Sequence, residues 1–373
     1  MFGAVHFGIM AALVVLFVPM GLAGWHLSRN KVLFFSGILF IALFVGVHLS
    51  PYFTSVTGFV NTFPTASSSV PVLYEQEDRN ICMSVLQLHH VMYKFDLGKK
   101  DGSLNDSRVH EDLSWHWDKR APSAGCDFQK LSKVDASDLL NGSWVVVAGD
   151  SQARLFVVSL LDLVLGPEKM ESVRGDLFKR HSNYQTVIDS IGLKLDFLWA
   201  PYARNLTDIV MEFMGNKAYP DVLVIGAGLW DMLRITNSTE YGSSLQQLNT
   251  YLVSSLPVSP EYSTSDPITG AVSVPTPHIF WLGSPTLINR MLNTEEKKVK
   301  MTDAMYAAYE REIYKSKLLR QSGGPAFLLD IKLLSQKCGD RCTEDGMHYN
   351  SAVYETAVHI MLNALIIESQ QKL

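Results

Sequence analysis

From Ser143 onward, short apolar runs alternate with longer amphipathic stretches. The apolar runs fall at residues 144–148, 193–198, 222–225, 279–282 and 326–329. Short runs of this kind suit strands covered on both faces. Between them, residues 154–165 and 244–256 place apolar side chains at helical spacing, and residues 352–367 predict a last, largely apolar helix. Strand–helix alternation predicts an α/β fold, a parallel sheet flanked by helices with right-handed crossovers. Ligands of such sheets sit at the carboxyl ends of the strands, so chemistry is expected there.

Two longer apolar runs come first. Residues 2–27 are interrupted only by His6, Pro19 and His26, and residues 32–49 only by His48. Each is long enough to cross roughly 30 Å of hydrocarbon as a helix, the second only just. Arg29 and Lys31, between them, are the only Lys, Arg, Asp or Glu of the first 50 residues. The positive-inside rule places that loop in the cytosol. Residues 1–50 therefore read as a two-helix membrane anchor, in contact with the lipid bilayer, with the large body on the luminal or exterior side. A cleaved signal peptide fits less well, because no basic segment precedes the first run and no small-residue cleavage site stands out. Residues 51–74, rich in Ser, Thr, Pro and Val, read as a stem. Residues 75–142 read as the N-terminal part of the luminal domain, with a helical stretch at 82–93, a loop at 102–105 and no assigned fold. Residues 143–373 read as the catalytic domain.

Composition agrees with an ordered body. Of 373 residues, 47% are hydrophobic and 18% charged, which excludes a disordered chain. Lys and Arg number 32 against 37 Asp and Glu, and no long basic run occurs, which argues against a nucleic-acid partner. Four cysteines, Cys82, Cys126, Cys338 and Cys342, all lie in the body. In an oxidising compartment they read as two disulfides with three possible pairings, of which sequence proximity favours Cys82–Cys126 and Cys338–Cys342. Cys338 and Cys342 lack the second closely spaced pair that a zinc site needs, and no metal is expected. Asn-x-Ser/Thr sequons at Asn105, Asn141, Asn205 and Asn237 are candidate glycosylation sites on the same side, although chance alone supplies a couple in a chain of this length.

The first predicted strand runs into Gly149-Asp150-Ser151-Gln152-Ala153-Arg154 and then a helix. Ser151 thus sits at a strand-to-helix turn beside the free N–H groups of the first helical turn. A nucleophile needs this setting, because those groups stabilise the oxyanion of acyl transfer. A plain helix cap by Asp150 or Ser151 is the competing reading. After the last predicted strand comes Glu344-Asp345-Gly346-Met347-His348-Tyr349. The Asp345 carboxylate, three residues before His348, can reach its Nδ1–H and leave Nε2 to take the proton of a serine. Trp115, Trp117 and Trp230 are candidates for a sugar cleft or for packing. His89, His90, His110, His116 and His181 form no metal-ligand pattern, and residues 295–298 read as an exposed helix face.

Gly149-Asp150-Ser151 and Asp345-x-x-His348 resemble the GDS and DxxH signatures of the SGNH/GDSL-like hydrolase superfamily. They look most like its PC-esterase branch, which includes the plant trichome-birefringence-like and altered-xyloglucan polysaccharide O-acetyltransferases and the luminal domain of the sialate O-acetyltransferase. The likeness takes in Arg154, placed as in GDSxxR, the block Val224-Ile225-Gly226-Ala227-Gly228-Leu229-Trp230-Asp231, and Leu329-Asp330, and it covers roughly residues 143 to 365. It implies a flavodoxin-like, SGNH-type sheet carrying a Ser151–His348–Asp345 triad. Asp150, Arg154, Gly228 and Trp230 are the implied oxyanion and substrate-binding residues. It also implies transfer of acetyl groups to polysaccharide hydroxyls, such as those of xyloglucan or xylan, at the luminal side of the Golgi membrane. One position departs from the pattern: the family's oxyanion asparagine falls on Gly226.

No bound cofactor is expected, only an acetyl donor derived from acetyl-CoA. That molecule does not cross a bilayer, so the resemblance implies a multi-pass transporter of the reduced-wall-acetylation type as partner, alongside other acetyltransferases and the polysaccharide acceptor. Two further readings stand beside the transferase. One is a carbohydrate acetyl esterase with the same triad. The other is a non-catalytic carbohydrate-binding or complex-forming subunit, for which Gly226 in place of asparagine is the main support.

Overall fold

The computed structural model describes residues 76–97, 111–118, 126–256 and 277–369. Contacts group residues 71–373 into one compact unit, and the described residues all fall within it. The expected anchor, with Arg29 and Lys31, the stem, the 102–105 loop, Asn105 and His110 lie outside the described residues. Among the described residues no helix is long and apolar enough to cross a membrane.

Among the described residues the sheet has six strands: Trp144–Gly149 (β3), Tyr184–Ile188 (β4), Leu193–Trp199 (β5), Val222–Ile225 (β6), His278–Leu282 (β7) and Phe327–Leu329 (β8). Its order is β4-β5-β3-β6-β7-β8. Every pairing is parallel except β4 with β5. Each expected apolar run is a strand. The expectation missed β4, an edge strand with one solvated face, in which Gln185 and Val187 point out and Ile188 in. Taken in chain order, the five parallel strands run 2-1-3-4-5, which puts the switch in winding direction between β3 and β6.

Both sheet faces are covered, so successive side chains of one strand enter different cores. Val145, Val147, Phe197 and Phe280 pack on one side with Ser151–Leu165 (α3), Ile331–Cys338 (α10) and Ser351–Ser369 (α11). Val146, Ala148, Leu223 and Trp281 pack on the other with Ala203–Asn216 (α5), Leu229–Arg234 (α6), Ser238–Ser255 (α7) and Asp303–Lys315 (α9). The α3 helix is apolar around most of its girth because α11 and Pro167–Leu177 (α4) enclose it.

The described residues among 76–97, 111–118 and 126–142 join the same core rather than forming a separate layer. Gln76–Gln87 (α1) is followed by the antiparallel pair Val91–Leu97 (β1) and Glu111–Trp117 (β2), then by Lys133–Leu139 (α2). The helical stretch expected at 82–93 therefore stops at Gln87. The backbone turns at His89, with φ +46°. From Val91 the period is two, with Val91 buried and Met92 and Lys94 exposed. Trp115 is a core residue, and Trp117 packs partly buried against the same core. Trp115 is buried against His359, and Trp117 packs on Phe128. Residues 295–298 begin the helix Glu295–Lys300 (α8), an exposed element as expected.

Both favoured disulfides form, Cys82–Cys126 and Cys338–Cys342. Of the sequons, Asn141 is exposed on the turn before β3. Asn237 is the exposed N-cap of α7, accepting from the amides of Thr239 and Glu240. Asn205 is half-buried, and its side-chain oxygen accepts from the Tyr202 amide at 3.3 Å.

Candidate active site

The turn after β3 depends on a close approach of backbones. A Cβ on Gly149 would stand 2.7 Å from the Gly226 carbonyl oxygen and 2.8 Å from Ala153 Cβ, so only glycine lets α3 start so near β6. Asp150, in extended backbone, then caps α3 by accepting from the Gln152 amide at 2.9 Å. Asp150 takes the capping role, and Ser151 as the first helical residue keeps its hydroxyl free for other partners.

That hydroxyl meets His348. Ser151 Oγ and His348 Nε2 are 2.8 Å apart, and His348 Nδ1 lies 2.7 Å from Asp345 Oδ2. The other Asp345 oxygen accepts from the amides of His348 at 2.7 Å and Met347 at 3.0 Å. Burial pushes the Asp345 carboxyl up, but the ring and amide of His348 and the Met347 amide outweigh it and hold it well below the usual carboxylate range. The carboxylate is therefore ionised and doubly anchored, and it orients the imidazole with Nε2 toward the serine.

The loop carrying Asp345 and His348 is itself braced. Gly346 has φ +73°, and a Cβ there would stand 2.5 Å from the Ile288 carbonyl oxygen. Thr343 Oγ1 donates to the His348 carbonyl at 2.8 Å and accepts from the Gly346 amide at 3.0 Å. The Cys338–Cys342 disulfide lies just upstream, and the Asn350 amide donates to the Cys342 carbonyl at 2.7 Å. A residue that sequence reasoning passed over, Gln152, ties this loop to the serine. Its side-chain amide donates to the Met347 carbonyl at 3.2 Å, and its side-chain oxygen accepts from the Tyr354 hydroxyl. No motif marks Gln152; only the fold brings Tyr354 and Met347 to it.

Two buried carboxylates stand behind the serine turn. Burial raises Asp150 to about 6, against the Gln152 amide and the nearby His348, which lower it. Asp231, in α6, is pushed to about 7 by burial, with the Ala203 amide opposing and Asp150 adding to the rise. Asp231 accepts from that amide at 3.3 Å, which links α6 to the start of α5.

On the β5 side lies a cluster of rings. His181 stacks on Trp199 at 4.7 Å, and Trp230 stands edge-to-face with His181, Trp199 and Tyr202 at 5.4–6.3 Å. Trp199 is the register partner of Gly149, so the cluster begins one strand away from Ser151. Trp230, Trp199 and Tyr202 are all half-buried and His181 is exposed. Sequence reasoning named Trp230 and set His181 aside as one of several scattered histidines; Trp199 carried no signal beyond ending a strand.

Arg154 lies beneath this cluster. Its guanidinium packs over Trp199 and Phe197 at 5.1 and 5.3 Å, the residue is 8% exposed, and Nε and Nη2 have no hydrogen-bond partner among the described residues. Burial lowers its pKa, yet a guanidinium stays charged in any protein setting. A buried, unpaired cation is costly, so the site holds donors for a negative or strongly polar group. Gly228, the N-cap of α6 with φ +136°, sets the first amides of that helix at the carboxyl end of β6. Gly226 brings no side-chain donor: a Cβ there would stand 2.6 Å from the Leu282 carbonyl oxygen. Among the described residues no group of His, Cys, Asp or Glu is arranged to hold a metal ion.

No family model matches this chain. Over 380 aligned residues, covering 100% of both chains, it is 50% identical to Protein ALTERED XYLOGLUCAN 9 of Arabidopsis thaliana. Solved structures similar to it include an acetylxylan esterase from Geobacillus stearothermophilus, with TM-score 0.32, 13% identity, and coverage of 61% of this chain and 96% of that one. Another is an inhibitor-bound aryl esterase of M. smegmatis, with TM-score 0.31, 11% identity, and coverage of 61% and 97%.

Proposed function

This chain belongs to the ALTERED XYLOGLUCAN 9 family, and we propose that it is a serine-dependent O-acetyltransferase of carbohydrate hydroxyls, built on a flavodoxin-like, SGNH-type sheet. The observation that carries the reading is the continuous hydrogen-bonded path from Ser151 Oγ through His348 to Asp345. It sits at the winding switch between β3 and β6, where such sheets bind ligands.

In the first step His348 Nε2 takes the Ser151 proton as Oγ attacks the acetyl carbonyl. The tetrahedral oxyanion faces the Ser151 amide, the amides that start α6 at Gly228, and the unpaired Arg154 guanidinium. His348 then returns the proton to the leaving group of the acetyl donor, and acetyl-serine remains. In the second step the same imidazole takes the proton of an acceptor hydroxyl, whose oxygen attacks the acetyl-serine; the Ser151 Oγ–acyl bond breaks, the acetyl group passes to the sugar, and His348 returns the proton to Oγ. Asp345 stabilises the charged imidazole in both. Trp230 and its neighbouring rings offer apolar faces to the acceptor.

The two disulfides suit an oxidising compartment, which supports a Golgi-luminal body on the anchor expected at residues 1–50. The acetyl donor then comes across the membrane through a multi-pass partner, and the acceptor is a wall polysaccharide such as xyloglucan.

A second reading, an acetyl esterase, draws on one feature. The His348 and Asp345 side chains are 37% and 30% exposed, so water reaches the pair, and only its exclusion favours transfer. The deciding experiment incubates the full chain with an acetyl ester and a xyloglucan oligosaccharide, then maps acetyl on Ser151 and on the sugar by mass spectrometry. Acetyl-serine with acetylated sugar supports the transferase; acetyl-serine with free acetate alone supports the esterase. No modification of Ser151, together with no labelling by a sulfonyl fluoride, would leave only the non-catalytic subunit.

A further inference from the structure

The serine and the imidazole come from separate segments, and each segment is held in its own way. Ser151 opens α3, where the Asp150 carboxylate takes the Gln152 amide at 2.9 Å. His348 sits in the loop before α11. The braces of that loop at Thr343 and Ile288 run within the loop itself and to the segment after β7. Neither brace reaches α3. Proton transfer from Oγ to Nε2 needs the two segments in register to a fraction of an ångström, so a link between them matters to the rate.

Gln152 is such a link. It stands beside the nucleophile in the chain, is 4% exposed, and donates from Nε2 to the Met347 carbonyl oxygen at 3.2 Å. That carbonyl belongs to the peptide unit joining Met347 to His348. The other end of the same unit, the His348 N–H, donates to Asp345 Oδ1 at 2.7 Å. The peptide plane that carries His348 is thus held at both ends, by the residue next to Ser151 and by the acid of the triad.

The orientation of the Gln152 amide is fixed as well. A backbone carbonyl only accepts, so the NH2 group must face Met347, and the side-chain oxygen needs a donor elsewhere. Tyr354, fully buried in α11, supplies it by donating from its hydroxyl to Gln152 Oε1. Burial pushes that phenol well above the usual tyrosine value, with the Tyr349 backbone opposing, so it keeps its proton at neutral pH. Tyr354, Gln152 and Met347 are all buried, and a buried polar network with its members satisfied rigidifies what it joins.

We propose that Gln152 is a positioning residue for acyl transfer: it sets His348 against Ser151 through the Met347 carbonyl, and Tyr354 fixes its amide. The proposal rests on the acyl-transfer reading for the step that it serves. The competing role is a buried network that only stabilises the fold.

The test uses full-length protein. Nitrophenol release from p-nitrophenyl acetate is split into kcat and KM, the rate of Ser151 labelling by a sulfonyl fluoride is measured, and both rates are corrected for the folded fraction. Gln152→Met keeps the volume and removes both hydrogen bonds. A kcat about 10–100-fold lower is expected, with KM nearly unchanged and labelling slowed in parallel. Tyr354→Phe should cost several-fold, and the double variant should be no slower than Gln152→Met, because both act through one amide. Gln152→Glu gives a readout that stability alone does not move. Protonated, its carboxyl donates to Met347 and accepts from Tyr354 as the amide does; ionised, it has no donor for the carbonyl. The ratio of its kcat to that of wild type should be near one at low pH and fall about tenfold as pH rises through the value of the new carboxyl. If Gln152→Met does not fold, Gln152→Glu and Tyr354→Phe decide. Wild-type kcat in Gln152→Met, additive losses in the double variant, or a ratio flat with pH in Gln152→Glu overturns the positioning role. Wild-type protein that neither releases nitrophenol nor takes the label overturns acyl transfer itself, and the positioning role with it.

Discussion

A Cβ on Gly226 would stand 2.6 Å from the carbonyl oxygen of Leu282 and 3.1 Å from its Cβ. The ends of β6 and β7 thus approach too closely for any side chain at the position where the resembling family carries an oxyanion asparagine. Glycine there is a packing requirement of this chain, not simply a lost donor.

Restoring the asparagine should therefore fail. Gly226→Asn is expected to destabilise the fold by at least about 1–3 kcal/mol, the range for overpacking a core, with no gain in acyl transfer. Thermal unfolding and nitrophenol release check this. A variant as stable as wild type and faster would show that β7 yields and that the donor was missing.

Asp345 holds one tautomer of His348 through its side chain and fixes the loop through two amides. Asp345→Asn keeps the shape but offers an N–H where the imidazole needs an acceptor. A fall of about 10³–10⁴ in kcat is expected, by analogy with the serine-protease triad, with little change in melting temperature. Retention of a tenth of the rate would reduce the triad to Ser151 and His348.

Arg154 sets stability against activity. Arg154→Met removes an unpaired buried cation and keeps much of its packing on Phe197 and Trp199, so the fold should gain stability. The rate should fall by about 10²–10³ if the guanidinium faces the oxyanion. Arg154→Lys should not rescue it, because a point charge does not reproduce the fork. A more stable Arg154→Met protein with full rate would remove Arg154 from the site.

Asp231 makes stability depend on pH. Its folded value is raised to about 7, so the folded state holds a proton that the unfolded chain releases near pH 4. The associated stability is fully present below the unfolded value and is lost as pH rises through about 7. Asp231→Asn keeps an acceptor for the Ala203 amide without the charge. The variant should match wild type near pH 4 and exceed it by a few kcal/mol above pH 7, since every tenfold difference in proton affinity between the folded and unfolded chain is worth about 1.4 kcal/mol. Denaturant unfolding at both pH values checks it. Equal stability at pH 8 would mean that water reaches Asp231.

Much of this was legible from residue order. The apolar runs at 144–148 and 222–225 had to be strands buried on both faces, because they leave no polar side to expose. Gly149-Asp150-Ser151 between a strand and a helix placed the hydroxyl at the ligand edge, and Asp345-x-x-His348 joined carboxylate to imidazole, since both depend on near neighbours in sequence. The β1–β2 pair escaped notice because its partners flank a long polar connection, and β4 because an edge strand has only one apolar face.

The tertiary structure decided what depends on distant segments. Ser151 and His348 meet across 197 positions only because α3 and α11 pack together on one sheet face. Trp115 and Trp230 share a residue type, yet one is core and the other borders the site, according to which segment folds against each. The unpaired Arg154 and the exclusion of a side chain at Gly226 are facts of packing density. Residue order sets which groups can interact locally; the volume left between packed elements sets which of them remain free to act.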